Sequence, residues 1–258
     1  MSEKYIAHHL KCTEDDIGKY VILPGDPDRV PIIADYLEDA HQIIRTREFN
    51  TYTGCLNGHK VSVVSTGIGC PSAAIAMEEL IKLGAHTFLR LGTCGCMSPI
   101  PKAGDCIIAT GSIRRDGASI QYLPIEFPAV ADFEVVNCLV NGATSSNQTY
   151  HLGIVETKDS YYGQHEPTAS PVSYELLNKW DAFSKGGAIG SEMESSVLFI
   201  LGSVHKVRVG SLLHVARNRV YEDLSGSEPI TDFDTTPTIK TGIKAMQLLI
   251  DSDKSKLK

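Results

Sequence analysis

Three arginines stand beside turns that follow or end apolar runs: Arg29 in GDPDR, Arg47 in TREF and Arg90 in FLRLGTCG. A guanidinium is a planar fork of donors whose geometry matches an oxyanion. Arg90 raises the sharpest question, because it interrupts what reads as a buried strand. A guanidinium left alone in a sheet interior is costly, so either a carboxylate or an anionic ligand must meet it. Taken singly, each arginine could close an ordinary surface salt bridge. Taken together, with the backbone N–H groups of Gly25 and Thr93 as neutral donors at strand ends, they describe an oxyanion cradle.

Two further stretches could hold a ligand. GSEMES, residues 190–195, spaces Glu192 and Glu194 two apart with Met193 between them. In an extended segment both carboxylates would point one way and the methionine the other. By itself that is a solvated acidic strand end, but facing a guanidinium cradle a carboxylate there can hold sugar hydroxyls. STGIGCPSAAIAMEEL, residues 65–80, carries a glycine turn ahead of a helix, which alone is no dinucleotide fingerprint. Cys94 and Cys96 form a C-x-C pair without a second pair at zinc-like spacing, and the odd total of seven cysteines reads as reduced thiols.

The elements that must position these residues follow from period and punctuation. YVILP at 20–24 is a short apolar run ending in a loop, with helical spacing after it in PIIADYL. Residues 41–66 alternate apolar and polar and carry an Asn57-Gly58 turn, so antiparallel strands are expected there. In the stretch after Gly69, Ala73, Ala76, Leu80 and Leu83 share one helical face, with Pro71 near the first turn and Gly84 past the end. Thr87–Gly92 reads as a strand. DCIIATGSI, YHLGIVET, a stretch reaching Ala188, and VRVGSLLHVA read as further strands. Helices are expected around 131–143 and 172–183, in VLFILGSVHK and in TIKTGIKAMQLLI, with DSDKSKLK a frayed tail. Alternation of this kind predicts an α/β fold: a largely parallel sheet covered on both faces, with sites at the carboxyl ends of strands.

With 258 residues, 42% of them hydrophobic, one domain over 1–258 is expected. A net charge of -7 and the lack of a basic block exclude a nucleic-acid surface. No apolar stretch is long enough for a signal peptide core or a membrane span, so a cytoplasmic, membrane-free protein is expected.

LPGDPDRV, STGIGCPSAAIAMEEL, FLRLGTCG, DGAS with EFPAVADFE, YYGQ and SEMES stand in the order found in the nucleoside phosphorylase family. The chain resembles that family from about His9 to Arg219, and most closely its uridine-cleaving branch. The resemblance implies a three-layer α/β/α fold around a mixed, largely parallel twisted sheet, and a hexamer of dimers that share active sites. It implies reversible exchange of uridine and phosphate for uracil and ribose 1-phosphate in pyrimidine salvage, with no cofactor beyond phosphate as co-substrate. Carried onto this chain, Gly25, Arg29, Arg90 and Thr93 bind phosphate and Arg47 reaches in from a neighbouring subunit. Met193 and Glu194 hold the ribose, and His9 of the neighbour caps its 5′ end. Arg90 and Glu194 are the catalytic pair. Cys94, Gly95, Tyr161 and Gln164 face the base, while Glu48, Ile68 and Ser72 match positions that bind potassium at a dimer interface in some relatives.

Two departures stand out. Cys94 replaces a second threonine, and a thiol is the weaker donor. The family's base-reading Gln-x-Arg is here Gln164-His165-Glu166, which removes the arginine expected at a uracil carbonyl. Lys158 and His165 are the nearest residues able to replace it; the plainer reading pairs Lys158 with Asp159 or Glu166 in solvent and leaves His165 in a loop. LLHVARNR lacks the carboxylate that assists a purine, which disfavours purine substrates. A nucleosidase of the same fold and a nucleoside-binding sensor without turnover are the alternatives; the arginines argue against the first and the retained ribose positions against the second. Uridine is not resolved from deoxyuridine or thymidine.

Overall fold

The computed structural model describes residues 5–256. Its first strand, β1 (Tyr20–Pro24), is buried along its whole length, and the GDPD loop leads from it into the short helix α1 (Arg29–Ala34). An antiparallel meander follows: β2 (Glu38–Thr46), β3 (Phe49–Leu56) and β4 (His59–Val64). Asn57 and Gly58 both take positive φ, 50° and 75°, the pairing that an Asn-Gly hairpin turn requires. Helix α2 (Cys70–Lys82) has Pro71 in its first turn and Gly84 beyond its end at φ 93°. The four residues assigned to its inner face, Ala73, Ala76, Leu80 and Leu83, are all buried. Truncating Leu80 to alanine would cost about 2–5 kcal/mol, the usual range for such a core position.

Strand β5 (Thr87–Cys96) runs four residues past the expected end at Gly92, so Thr93, Cys94 and Gly95 sit on a strand and not in a turn. Pairing explains the extension: β10 (Arg208–Arg217) runs beside β5 as far as Gly95, and β9 (Gly190–Glu192) takes up Gly95 and Cys96. Beyond lie β6 (Cys106–Arg115), β7 (Ala129–Val130), α3 (Phe133–Ser145), β8 (Tyr150–Lys158), α4 (Tyr161–His165) and α5 (Ser173–Lys185). Asp132 caps α3 by accepting from the Val135 N–H, and Ser160 caps α4 through the Gly163 N–H. The strand expected to reach Ala188 is instead β9 (Gly190–Glu192), followed by α6 (Ser195–His205), β10 (Arg208–Arg217), α7 (Arg219–Ser225) and α8 (Thr236–Lys256).

Five strand pairings are parallel and five antiparallel. The parallel run β4-β1-β5-β10 forms the centre, and the meander forms one flank. The pairings β5–β10, β10–β6, β6–β8, β8–β9 and β9–β5 close on themselves, curling the other flank into a ring. One buried cluster packs α2 and α6 against the sheet, and a second packs α1, α3 and α8, giving three layers.

The expectation of a frayed tail is overturned for residues 251–256, which continue α8. Asp253 accepts from Tyr20 Oη at 2.7 Å and from the Arg208 guanidinium, so the helix end is tied to two strands. The tail's last two residues, 257 and 258, lie outside the described residues.

Candidate active site

The carboxyl ends of β1, β5, β8 and β10 open onto a cavity of about 1040 Å³. Of the residues singled out from sequence, Gly25, Arg29, Glu48, Ile68, Ser72, Arg90, Thr93, Cys94, Gly95, Lys158, Tyr161, Gln164, His165, Met193 and Glu194 line it. His9 and Arg47 do not.

Arg90 meets carboxylates after all, two of them. Its Nε donates to Glu192 Oε2 at 3.0 Å and its Nη2 to Glu194 Oε2, with all three side chains buried. Gly92 makes this possible, since a Cβ there would sit 2.7 Å from Arg90 Nη2. The third nitrogen, Nη1, is buried with no partner among the described residues. Arg29 adds a second cation whose nearest acid is a loose contact, Asp26 at 3.9 Å. Burial and the charge of Arg90 both pull the Arg29 pKa down, the signature of two cations held close without enough negative charge. A buried unpaired donor beside an under-compensated cation is chemistry made for an oxyanion.

Glu192 and Glu194 are not a solvated strand end. The chain turns into α6 directly after them, and Glu192 accepts the N–H groups of Glu194 at 2.9 Å and Ser195 at 2.9 and 3.0 Å, along with the Thr157 hydroxyl. Glu192 is therefore an anchor at a helix N-terminus, where negative charge is favoured. Glu194 accepts from the Gly69 N–H at the start of α2, so the glycine turn of residues 65–69 has a ligand of its own. Gly69 takes φ 94°, a conformation that a side chain would strain. Burial pushes the Glu194 carboxyl up, Arg90 opposes the shift and Glu192 adds to it. Met193 lies between the two acids and faces the cavity.

Arg47 occupies the tight turn between β2 and β3 at φ 53°, exposed, and does not line its own chain's cavity although the neighbouring Glu48 does. The structure thus brings Arg29 and Arg90 together but not Arg47. His9 is held from behind by a residue that the sequence reading missed: Glu79 accepts from the His9 and Leu10 N–H groups and contacts His9 Nδ1 at 2.7 Å. Glu79 lies on α2, one residue from the buried Leu80, and an acid beside a core position was the available signal. Glu48 Oε1 accepts from Ser72 Oγ at 2.8 Å, and Ile68 is exposed close by in sequence. Carboxylate, hydroxyl and carbonyl oxygens are the hard donors that an alkali cation takes.

The remaining cluster is built differently. Lys158, at the end of β8, is buried, and its Nζ donates to Ser191 Oγ at 2.8 Å. It pairs with neither Asp159 nor Glu166 in solvent, which corrects the plainer sequence reading. Burial lowers its pKa while Glu156, Glu192 and Glu194 hold it up. His165 ends α4 and lies 4.2 Å from the Tyr161 ring, centroid to centroid, so it is part of the cavity wall and not an isolated loop residue. Burial, Arg219, Lys158 and Arg217 push its pKa down to about 4, which makes it neutral and unable to supply a cation near neutral pH. Burial drives the Cys94 thiol well above its ordinary value, which keeps Cys94 in the cavity wall as a neutral thiol.

Sequence reasoning also missed the contribution of the end of β10 and of α7. Arg217, Arg219 and Asp223 line the cavity, Arg217 being clamped to Glu222 at 2.6 to 3.1 Å. LLHVARNR itself carries no carboxylate, as read from the sequence, but Asp223 just beyond it brings one to the cavity. The signal was the acid pair Glu222-Asp223 one helical turn past that segment.

Comparison with known proteins matches residues 19–245 to the phosphorylase superfamily. The chain is 48% identical over 246 residues to a uridine phosphorylase of Treponema pallidum, covering 95% of each. It is 36% identical to a uridine phosphorylase of Escherichia coli over 94% of this chain and 97% of that one. It is also 34% identical to a guanosine phosphorylase of Halorubrum lacusprofundi over 85% of this chain and 87% of that one. A match that spans both the Arg29–Arg90 cradle and the Glu192–Glu194 segment, with relatives aligned almost end to end, places the chain in the phosphorylase superfamily.

Proposed function

We propose that the protein catalyses the reversible phosphorolysis of uridine to uracil and ribose 1-phosphate. The observation that carries this reading is Arg90: two of its nitrogens are fixed by buried carboxylates, and the third is a buried donor without a partner among the described residues, next to Arg29. Phosphate supplies the oxygens that this pair lacks, with the Gly25 and Thr93 N–H groups completing the cradle.

Catalysis then follows from charge. As the C–N bond loosens, the ribose gains oxocarbenium character, and phosphate held by the arginines is positioned at the anomeric carbon. Glu194 accepts from the ribose hydroxyls and Met193 packs on the sugar. The departing uracil gathers negative charge, so donors aimed at its carbonyls stabilise the transition state more than the ground state. Lys158 is the cation available for this, with Gln164 meeting the N–H and one carbonyl and Tyr161 covering the ring. His165 contributes as a neutral wall beside Tyr161.

The placement of Arg47 and His9 outside their own chain's cavity supports a homo-oligomer in which each site borrows both residues from a neighbour, as in a hexamer of dimers. Glu48, Ser72 and the Ile68 carbonyl would offer three hard oxygens to potassium at such an interface, half a shell that a second copy would complete. A cytoplasmic role in pyrimidine salvage fits the free state of all seven cysteines. A purine substrate is the second reading, favoured by Asp223 at the cavity and by the guanosine phosphorylase relative.

The test is a nucleoside panel assayed for free base with and without phosphate. Uracil release from uridine that requires phosphate and yields ribose 1-phosphate is expected. Equal rates in phosphate-free buffer would replace phosphorolysis with hydrolysis, and a preference for guanosine or inosine would favour the purine reading.

A further inference from the structure

We propose that a hydrogen-bond chain running inward from the half-buried Arg115 through Glu156 to Ser191 fixes the orientation of the Gln164 amide and thereby makes the pocket select a base whose ring nitrogen carries a hydrogen. The proposal rests on the reading of this cavity as a nucleoside site, and it assigns specificity to three residues, Arg115, Glu156 and Ser191, to which sequence reasoning assigned no role at the base.

The argument is a count of protons. Ser191 Oγ has three polar neighbours to satisfy with one hydrogen and two lone pairs: Lys158 Nζ at 2.8 Å, Glu156 Oε2 at 2.9 Å and the Gln164 amide, its Oε1 toward the serine, at 2.9 Å. Lys158 can only donate, so it takes one lone pair. Glu156 is almost wholly buried, and its other oxygen accepts from Arg115 Nη1 at 2.6 Å, which holds it as a carboxylate that can only accept. The hydroxyl hydrogen therefore goes to Glu156, the stronger of its two acceptors. One lone pair is left, and Gln164 can use it only by donating.

A half-turn of a glutamine amide exchanges its oxygen and nitrogen, and the surrounding donors decide which one faces inward. With the amide oxygen toward Ser191, two acceptors would compete for one hydrogen. With Nε2 toward Ser191 every group is served. The Gln164 oxygen then faces the cavity as an acceptor, and the second Nε2 hydrogen lies beside it as a donor. That pair matches an imide edge, N–H next to C=O, as in uracil. It opposes the bare ring nitrogen of cytosine, whose lone pair would meet the amide oxygen. Leaving buried polar groups unpaired in this way is what gives a hydrogen-bonding site its discrimination.

Glu156→Gln makes the idea sharply testable. Arg115 would claim the new amide oxygen, turning the new NH₂ group toward Ser191. The serine hydrogen would then swing to the Gln164 oxygen, reversing what Gln164 presents to the base. Ser191→Ala removes the relay altogether, and Ser191→Thr keeps the hydroxyl.

Calorimetric binding of uracil and of cytosine to the full-length protein, in the presence of phosphate, reads the proposal directly. The preference for uracil over cytosine should fall by roughly tenfold or more in Glu156→Gln and in Ser191→Ala, the scale of one charge-assisted hydrogen bond, and Ser191→Thr should hold the parental preference. The KM for phosphate should stay at the parental value in all three. Folded Glu156→Gln and Ser191→Ala proteins with an unchanged uracil to cytosine preference would overturn the relay while leaving the site's function intact. Should one of the two fail to fold, the other decides the matter on its own. A parent that binds neither base would instead overturn the reading of the cavity.

Discussion

The two halves of the cavity are built on opposite principles. Around Arg90 every part is buried and rigid: a central strand, a glycine that clears space for the guanidinium, and two carboxylates, one of them pinned by the N-terminus of α6. Around Lys158 the wall comes from α4 and α7, elements of five and seven residues, with Tyr161 and Arg219 exposed. The first half handles a fixed charge, which suits a preorganised core. In the proposed function the second half meets the base, and there short surface elements permit a different residue set without disturbing the sheet.

The contrast is most severely tested at Arg90. Arg90→Ala would leave Glu192 and Glu194 buried without their counter-charge, at a cost of about 3–5 kcal/mol in stability, so loss of activity in that variant would be uninterpretable alone. Arg90→Lys keeps the charge and loses the fork. Its kcat is expected to fall by roughly 10² to 10³, the size of one lost transition-state donor, with a smaller drop in Tm than Arg90→Ala shows. Parental kcat in Arg90→Lys would mean that only charge, and no planar donor geometry, is needed there.

This rigid half was largely legible in the sequence, and the reason is physical. A charge inside an apolar strand must be compensated, so Arg90 announced a partner before any partner was visible. What could not be read was that carboxylates and a free donor occur together, because Glu192 reaches Arg90 only through the ring that β9 closes against β5 and β8. The half around Lys158 was legible only in outline. Lys158 and Gln164 could be named, but Ser191 and Glu156 show their role only when β8 and β9 lie side by side. Glu156 stands two residues before Lys158, and strand period alone would have put both on one face. Asp223 of α7 lay beyond the last recognisable segment, which ends at Arg219, so chain order gave no reason to place it at the site.

Next in size is the effect of Arg47. If a neighbour's Arg47 completes the rigid half, Arg47→Ala and Arg90→Lys chains should each be nearly inactive, yet recover activity when mixed and reassembled. In a random mixture of two-fold pairs roughly a quarter of the sites would be intact, which sets the expected recovery. No recovery despite measured subunit exchange would remove Arg47 from the site.

Lys158→Met should be milder. It removes one buried charged donor at the base while keeping the length of the side chain, so kcat/KM for uridine should drop roughly tenfold and the KM for phosphate should not move. A change in phosphate KM of comparable size would show that the two halves of the cavity are not separable at Lys158.

The smallest expected effect concerns His165, and it divides the two halves by pH. In the unfolded chain its imidazole takes up a proton near the ordinary value of about 6.5. In the folded protein burial and three neighbouring cations push the pKa down to about 4. The neutral ring is thus favoured by the fold, and its contribution to stability is complete above the unfolded value. As the pH falls through the window from about 6.5 to about 4 the unfolded state binds a proton that the folded state refuses, and that contribution is lost. Between neutral and mildly acidic pH the Tm of the parent should therefore fall further than that of His165→Asn. The difference should be modest, because the ring is only partly buried. Activity should follow the same logic: kcat/KM for uridine in parent and His165→Asn should keep a constant ratio from about pH 6 to 8, since the ring does not change charge there. An inflection near pH 6.5 in the parent that the variant lacks would mean that the imidazole is protonated at the base after all. Both charge reserves of the cavity would then be adjustable, and the division between a fixed half and a selective half would fail at its weakest point.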